Sequence, residues 1–230
     1  MLNMMFMDQY FIMLVVPTMI LSMIAQIKVK STFSKYSHVR TSKSITGRDA
    51  AMLILKANSI NDVEVESVRG SLTDHYDPSS KKLRLSEQVY SQASIAALGV
   101  AAHEAGHAIQ HAKGYSPLVL RSTLVPVANI GSRFGPMMAI AGLFFSMPPL
   151  LNIGIMLFAG AVLFYLITLP VEFNASSRAL AHLEKGNMLN AEEMVGAKKV
   201  LSAAAMTYVA AALTAVMSLL RLILLARGRR

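Results

Sequence analysis

The chain has 230 residues, of which 54% are hydrophobic and only 15% are charged. Soluble domains usually carry about 25% charged residues, so this composition favours a small folded domain joined to membrane-spanning helices. The absence of cysteine excludes disulfides, thiolate metal ligands and cysteine nucleophiles. The net charge of +9 comes without tryptophan and without aromatic residues interleaved among the basic ones, so we expect no nucleic-acid partner.

The N-terminal region, residues 1–27, is predicted to be an uncleaved membrane anchor. Residues 10–27 are apolar and uncharged, and at about 1.5 Å per residue they nearly cross a hydrocarbon core of about 30 Å. No basic residue precedes this run, whereas six lie between positions 28 and 48. The positive-inside rule therefore predicts an external N-terminus and a cytoplasmic segment after the anchor. A signal peptide, the alternative, would have basic residues before its apolar run.

Residues 28–121 are predicted to form a small soluble α+β domain. A helix is expected over residues 46–57, with Thr46 or Ser44 as its N-cap. The apolar residues at 63–68 and 83–85 predict two short strands on either side of a turn-rich loop. We expect the second strand to lie at the edge of its sheet, where an extended peptide can add to it. A longer helix is expected over residues 94–113.

The rest of the chain is predicted to be helical and largely inside the membrane. Residues 122–169 contain two apolar stretches separated by Pro148 and Pro149, as in a transmembrane helical hairpin. Residues 170–202 are more polar and are expected to form membrane-proximal helices. Residues 203–230 are expected to form a C-terminal transmembrane helix. The predicted fold is a mainly α membrane protein with about four transmembrane helices and a small α+β domain.

The most informative stretch is His-Glu-Ala-Gly-His at residues 103–107. Positions i and i+4 of a helix share one face, so His103 and His107 can reach the same metal ion. Glu104 lies beside them and can accept a proton from water, whose pKa zinc lowers to about 7. The H-E-x-x-H pattern also occurs in helices that bind nothing, but this helix is otherwise apolar, where unused polar residues are costly. The pattern predicts a hydrolase with one Zn²⁺ per chain and Glu104 as general base.

A catalytic zinc site takes three protein ligands and one open position, so a further ligand is required. His111 lies about 12 Å along the helix axis from His103, which is too far for both to bind one ion. No aspartate follows Asp77, so a downstream aspartate ligand of the kind found in site-2 intramembrane proteases is excluded. Glu172 is favoured because it follows Pro170 at the predicted end of a span, where we expect a new helix to begin. The other downstream candidates are His182, Glu184, Glu192 and Glu193.

Several segments resemble, in order, those of the YugP-like membrane zinc metallopeptidases, and the resemblance covers most of the chain. They are the N-terminal anchor and residues 73–78, 83–86, 102–111 and 169–176. This family is similar to the gluzincin peptidases, so the resemblance implies a zincin-like catalytic domain in residues 28–121. It also implies that His103 and His107 are zinc ligands, that Glu104 is the base and that Glu172 is the third ligand.

One position departs from the related HtpX-type membrane proteases, which have an aspartate four residues after the ligand glutamate. This chain has Ser176 there. A metal-binding histidine usually donates its second ring nitrogen to a carboxylate, a carbonyl or water. We therefore expect this contact to come from Asn174 or from a backbone carbonyl.

The predicted function is zinc-dependent cleavage of membrane or membrane-proximal polypeptides in the plasma membrane of a prokaryote, at its cytoplasmic face. His75, Tyr76 and Arg178 can each donate a hydrogen bond to developing negative charge. The alternative for the first two is a role as turn residues, and for Arg178 a role in an ion pair or on a helix surface. Three other functions stay open: an inactive protein with a structural zinc ion, a membrane adaptor with incidental histidines, and a site-2-type intramembrane protease.

Overall fold

The computed structural model describes residues 8–228. Helix α1 begins as a π-helical turn, Phe11–Val15, and continues as the α-helix Val16–Ser37. The small α+β region follows, with α2 (Gly47–Ala57), β1 (Glu64–Val68), β2 (His75–Asp77), β3 (Lys82–Ser86), α3 (Glu87–Ser91) and α4 (Ile95–Ala112). Three long helices complete the fold, namely α5 (Ser116–Phe144), α6 (Pro148–Lys185) and α7 (Ala191–Arg227).

The described residues form two compact units. The first contains the described residues up to Gln26, then Val119–Pro170 and the described residues from Met206. The second contains Ile27–Leu118 and Val171–Ala205. The H-E-x-x-H motif and Glu172 both belong to the second unit, although 69 positions separate His103 from Glu172.

The second unit has its own apolar core, in which α4 is almost entirely buried. Ser94 caps the N-terminus of α4 by accepting a hydrogen bond from the backbone N–H of Ala97, and Thr46 caps α2 in the same way. Gly114, at φ +60°, follows α4 in the left-handed conformation that glycine adopts at little cost. The predicted helices over residues 46–57 and 94–113 are therefore confirmed. The largest fully buried apolar side chains are Ile54, Leu83, Leu85, Val89, Leu98, Ile109, Val171 and Leu183.

The sheet of the second unit has the strand order β1-β3-β2. Strand β3 pairs in parallel with β1 and in antiparallel with β2. The prediction that residues 83–85 form an edge strand is therefore wrong, because β3 is the central strand and Leu83 and Leu85 are fully buried. Alternating apolar residues mark a strand with a buried face, but this pattern does not tell an edge strand from a central one.

The loop expected between the two strands contains a third strand. His75–Asp77 pairs with β3, with Tyr76 opposite Leu83, so the alternative of His75 and Tyr76 as turn residues is wrong. A strand of three residues, two of them polar, has no alternating pattern that sequence periodicity can detect.

The first unit contains the close packing of α5 against α6. A Cβ atom at Gly131 would lie 2.2 Å from the carbonyl oxygen of Leu157, and one at Gly142 would lie 2.4 Å from the backbone nitrogen of Leu151. These contacts run in opposite directions along the two helices, as in the predicted hairpin. Small residues are the usual means by which membrane helices bring their backbones together.

Three helices are long and apolar enough to cross a membrane by length and composition, namely Phe11–Ser37, Pro148–Lys185 and Ala191–Arg227. Helix α5, which contains Pro126 and Pro136, is not among the candidates found in the described residues. Three of the four predicted spans therefore lie in candidate membrane-spanning helices, and the count of four stays a prediction.

Two predicted helix boundaries are wrong. Helix α6 continues through Pro170 without a break, so Glu172 lies inside a long helix and does not follow a helix start. Proline removes one backbone hydrogen bond, and a long helix of 38 residues can absorb that loss. Helix α7 begins at Ala191, twelve positions before the start expected at residue 203.

Candidate metal centre

The two motif histidines lie side by side on α4. Their ring centroids are 4.8 Å apart, with the rings edge to face. Glu172 of α6 lies opposite them, and its Oε2 atom is 3.2 Å from Nε2 of His103 and 3.6 Å from Nε2 of His107. Two helices that are distant in sequence thus bring three ligand-type atoms together.

The arrangement of these three side chains fits a zinc ion. Ligand atoms about 2.1 Å from a tetrahedral zinc ion lie about 3.4 Å from each other, close to the two distances above. The candidate ligand atoms of His103, His107 and Glu172 all lie within 4.8 Å of one another. No other group of three His, Cys, Asp or Glu residues among residues 8–228 meets this condition. Three nitrogen and oxygen donors that leave a fourth position open are typical of catalytic zinc sites.

Gly106 explains how α4 and α6 come close enough for this convergence. A Cβ atom at Gly106 would lie 2.7 Å from the carbonyl oxygen of Ala175, so a larger residue would push the helices apart. Ala175 stands one turn after Glu172 on α6, and Gly106 lies between the two histidines on α4. The glycine inside the motif therefore allows Glu172 to approach the two histidines.

The outer ring nitrogens of both histidines have partners. Nδ1 of His103 is 3.2 Å from Oγ of Ser176, and Nδ1 of His107 is 3.0 Å from Oε1 of Gln110. Both Nε2 atoms therefore point to Glu172. The expectation that Asn174 or a backbone carbonyl contacts a ligand histidine is wrong for His103, because Ser176 itself makes that contact.

Asn174 acts one step further from the histidines. Its Oδ1 accepts hydrogen bonds from Nε2 of Gln110 at 3.0 Å and from Nε of Arg178 at 2.7 Å. A hydrogen-bonded chain therefore runs from His107 through Gln110 and Asn174 to Arg178.

The site is buried and rich in negative charge. The side chains of His103, His107 and Glu172 are 12%, 11% and 3% exposed. Burial by itself lowers the pKa of His107, but the hydrogen bond with Glu172 and the negative charges of Glu104 and Glu172 outweigh it, so this pKa is raised. A pocket that favours positive charge on an imidazole also favours a bound cation.

Glu104 lies at this pocket with 8% of its surface exposed. Its carboxylate forms no hydrogen bond with the described part of the chain, and both of its oxygens reach the protein surface. The negative charge of Glu104 also affects Asp74. The pKa of Asp74 is raised, mainly by burial and further by Glu104, although the hydrogen bonds from Ser86 lower it. The oxygens of Glu104 are thus available to water.

The predicted oxyanion candidates lie in different surroundings. The hydroxyl of Tyr76 is 2.8 Å from Nδ1 of His111, which follows His107 by one turn on α4. Burial, together with the charges of Asp62 and Asp77, raises the pKa of Tyr76 to about 12. His75 is exposed, and its ring nitrogens lie 2.9 Å from the carbonyl oxygen of Thr73 and 3.4 Å from Nη1 of Arg84.

The remaining ligand candidates lie outside the cluster. Nε2 of His182 is 3.3 Å from Nδ2 of Asn58, and Glu193 accepts a hydrogen bond from the backbone nitrogen of Ser42 at 2.6 Å. Glu184 and Glu192 are exposed. None of these four side chains belongs to the group formed by the two histidines and Glu172.

Sequence reasoning missed Gln110, Ser176 and Gly106 as parts of the site. A signal existed for Gln110, because a polar residue three positions after His107 shares its helix face. The position of Ser176, four residues after Glu172, was also a signal. The role of Gly106 depends on a tertiary contact for which the local sequence carries no pattern.

Comparison with known proteins supports the chemistry of this site. The model of a family described as "Putative neutral zinc metallopeptidase" matches residues 11–227. The chain is also 50% identical over 215 residues to "Putative membrane protease YugP" of Bacillus subtilis (strain 168), an alignment that covers 94% of this chain and 96% of that protein. No solved structure matches the chain. The chain therefore belongs to the neutral zinc metallopeptidase family that this model describes.

Proposed function

We propose that this protein is an integral-membrane zinc metalloendopeptidase that cleaves membrane or membrane-proximal polypeptides. Its ligands are His103, His107 and Glu172, which hold one Zn²⁺ per chain, and Glu104 is its general base. The observation that carries the proposal is the convergence of two Nε2 atoms and one carboxylate oxygen at 3.2 and 3.6 Å. Membership of a zinc peptidase family supports the same chemistry.

A zinc ion held there would polarise the scissile carbonyl and make water acidic enough to lose a proton near neutral pH. Glu104 accepts that proton and then delivers it to the leaving amine. The partly exposed edge of Glu104 gives it access to both water and substrate. The hydroxyl of Tyr76, protonated at neutral pH because its pKa is about 12, is the candidate that stabilises the negative charge on the carbonyl oxygen. Asn174 and Arg178 support the ligands through Gln110.

The test combines zinc stoichiometry with proteolysis of a disordered protein such as casein by purified protein in detergent. We expect about one zinc per wild-type chain, and loss of zinc in His103→Ala and Glu172→Ala. Glu104→Gln should keep its zinc and lose at least about a hundredfold in rate. Glu184, an exposed glutamate on the same helix as Glu172, provides the matched control, and Glu184→Gln should retain both properties.

Two outcomes would contradict the proposal. If Glu104→Gln binds a normal amount of zinc and cleaves as fast as the wild type, the zinc ion is structural and the cleavage comes from a contaminant. Zinc content that His103→Ala and Glu172→Ala do not change would mean that the metal lies elsewhere or is adventitious.

We further propose a topology with four spans and a cytoplasmic site. The anchor is residues 1–27, the hairpin is 122–169, and the last span lies within 203–230. The catalytic part is 28–121, to which residues 170–202 add the third ligand. Support comes from the three apolar helices, from the six basic residues between positions 28 and 48, and from the rule that cytoplasmic flanks are basic.

The absence of cysteine allows a clean test of this topology. In intact cells of a bacterial host, an impermeant thiol reagent should label Asn3→Cys but not Ser71→Cys, and permeabilisation should expose Ser71→Cys. The reverse labelling would place the site outside. Labelling of both variants in intact cells would contradict the proposal that residues 10–27 cross the membrane.

A further inference from the structure

Gln110 is a fully buried amide beside the candidate metal centre. Its Oε1 lies 3.0 Å from Nδ1 of His107. Its Nε2 donates to the carbonyl oxygen of Val171 at 2.8 Å and to Oδ1 of Asn174 at 3.0 Å. These three hydrogen bonds satisfy the buried amide, and leaving any one of them unmade would be destabilising.

These contacts determine which way the amide faces. The carbonyl oxygen of Val171 can only accept a hydrogen bond, so the atom of Gln110 that faces it must be the NH₂ group. The oxygen of Gln110 therefore faces His107 and can only accept. It follows that Nδ1 of His107 carries the hydrogen, and that Nε2 of the neutral ring keeps the lone pair that a metal requires.

The same amide also contacts the helix that carries the third ligand. Val171 and Asn174 lie on either side of Glu172 on α6, and Gln110 belongs to α4 with the two histidines. One side chain thus links the orientation of His107 to the position of Glu172 along its helix.

We infer that Gln110 is a positioning residue of the zinc site, which holds His107 in the tautomer that binds metal through Nε2 and keeps Glu172 opposite it. This inference rests on the proposed function, since it assigns a role in metal binding to a residue outside the ligand set. The opposing view is that Gln110 only packs α4 against α6. The two views predict opposite rankings for two substitutions.

The experiment compares Gln110→Met with Gln110→Glu. Methionine keeps the approximate size and apolar packing but provides no strong acceptor for Nδ1–H of His107. A carboxylate restores that acceptor, although it loses the NH₂ donor to Val171 and Asn174 and introduces a buried charge. If Gln110 positions His107, zinc affinity should fall about 10–100-fold in Gln110→Met and by clearly less in Gln110→Glu. Pure packing predicts that methionine is tolerated and glutamate is not.

Zinc affinity is measured by chelator competition, and Co²⁺ replaces zinc to give a visible spectrum that reports the geometry of the ligands. Leu183→Ala, which removes a fully buried side chain of α6, is the control for lost stability. It should lower the melting temperature but leave zinc affinity and the Co²⁺ spectrum unchanged.

The inference is overturned if Gln110→Met binds zinc as the wild type does with the same Co²⁺ spectrum, or if Gln110→Glu binds more weakly than Gln110→Met. It is overturned as well if Leu183→Ala loses as much zinc affinity as Gln110→Met. The wild type and His103→Ala test the proposed metal site separately. If the wild type binds zinc and His103→Ala does not, the proposed site is supported, and the Gln110 variants alone then decide the role of the amide.

Discussion

Ser176 and His103 are in contact across the two helices of the site, with Oγ of the serine 3.2 Å from Nδ1 of the histidine. Because Nδ1 is turned away from Glu172, the hydroxyl can fix the orientation of the ring without occupying the nitrogen that would bind the proposed zinc ion. We expect Ser176→Ala to weaken zinc binding about tenfold, since the partners of metal-binding histidines contribute at this level. Ser176→Thr, which keeps the hydroxyl, should bind within about threefold of wild type. Equal zinc affinity in the alanine and wild-type proteins would show that this contact has no role in metal binding.

Gly106 provides a test of helix spacing. A Cβ atom there would meet the carbonyl oxygen of Ala175 at 2.7 Å, whereas one at Gly99 on the same helix would have its nearest neighbour at 3.9 Å. We expect Gly106→Ala to destabilise the protein by about 1–3 kcal/mol through overpacking and to lower its zinc content. Gly99→Ala should be neutral or stabilising by up to about 1 kcal/mol, because alanine favours the helix. Thermal unfolding and metal analysis of both variants would be compared, and a stable, zinc-loaded Gly106→Ala would exclude the proposed close approach.

Tyr76 provides a test of transition-state stabilisation. Its hydroxyl is held by His111 at 2.8 Å, one turn beyond His107. We expect Tyr76→Phe to lower kcat about a hundredfold with little change in KM or zinc content, as when one oxyanion donor is removed. Tyr90→Phe, another partly buried tyrosine of the same unit, should behave as wild type. A rise in KM with unchanged kcat would instead assign Tyr76 to substrate binding.

Asp8 and Arg221 form a nearly buried ion pair in the first unit. Nη2 of Arg221 is 2.6 Å from Oδ2 of Asp8, and the two side chains are 10% and 13% exposed. Asp8→Asn removes a charge-assisted contact from largely buried surroundings, so it should cost about 1.5–3 kcal/mol of stability. Asp62→Asn, in an exposed pair with Lys81, should leave the melting temperature almost unchanged.

Thermal unfolding in detergent would measure both variants. The exchanged pair, Asp8→Arg with Arg221→Asp, should recover part of the stability lost in Asp8→Asn. If Asp8→Asn has the same melting temperature as the wild type, the ion pair does not stabilise the first unit.

The sequence was sufficient to predict the parts of the site whose signal is local. The i, i+4 spacing of His103 and His107 is a property of any α-helix, and the cap at Thr46 follows from local hydrogen bonding. The long apolar runs predicted membrane helices because their length must match the bilayer.

The features that sequence did not predict depend on contacts between distant segments. The central position of β3 depends on its parallel pairing with β1, which no short-range pattern specifies. The continuity of α6 through Pro170 depends on how much helix stands on either side of the proline. The role of Gln110 required knowledge that Val171 and Asn174 lie opposite it on another helix.

The distance in sequence between the ligands has a consequence for biosynthesis. His103 and Glu172 are 69 positions apart, and the whole of α5 and the first part of α6 lie between them. A nascent chain that has only just emerged with its H-E-x-x-H helix holds two of the three proposed ligands. If the proposed ligand set is correct, the ribosome must therefore translate the helical hairpin before the zinc site can be completed. The proposed protease would then be inactive during most of its own synthesis, and no inhibitory segment would be needed for this.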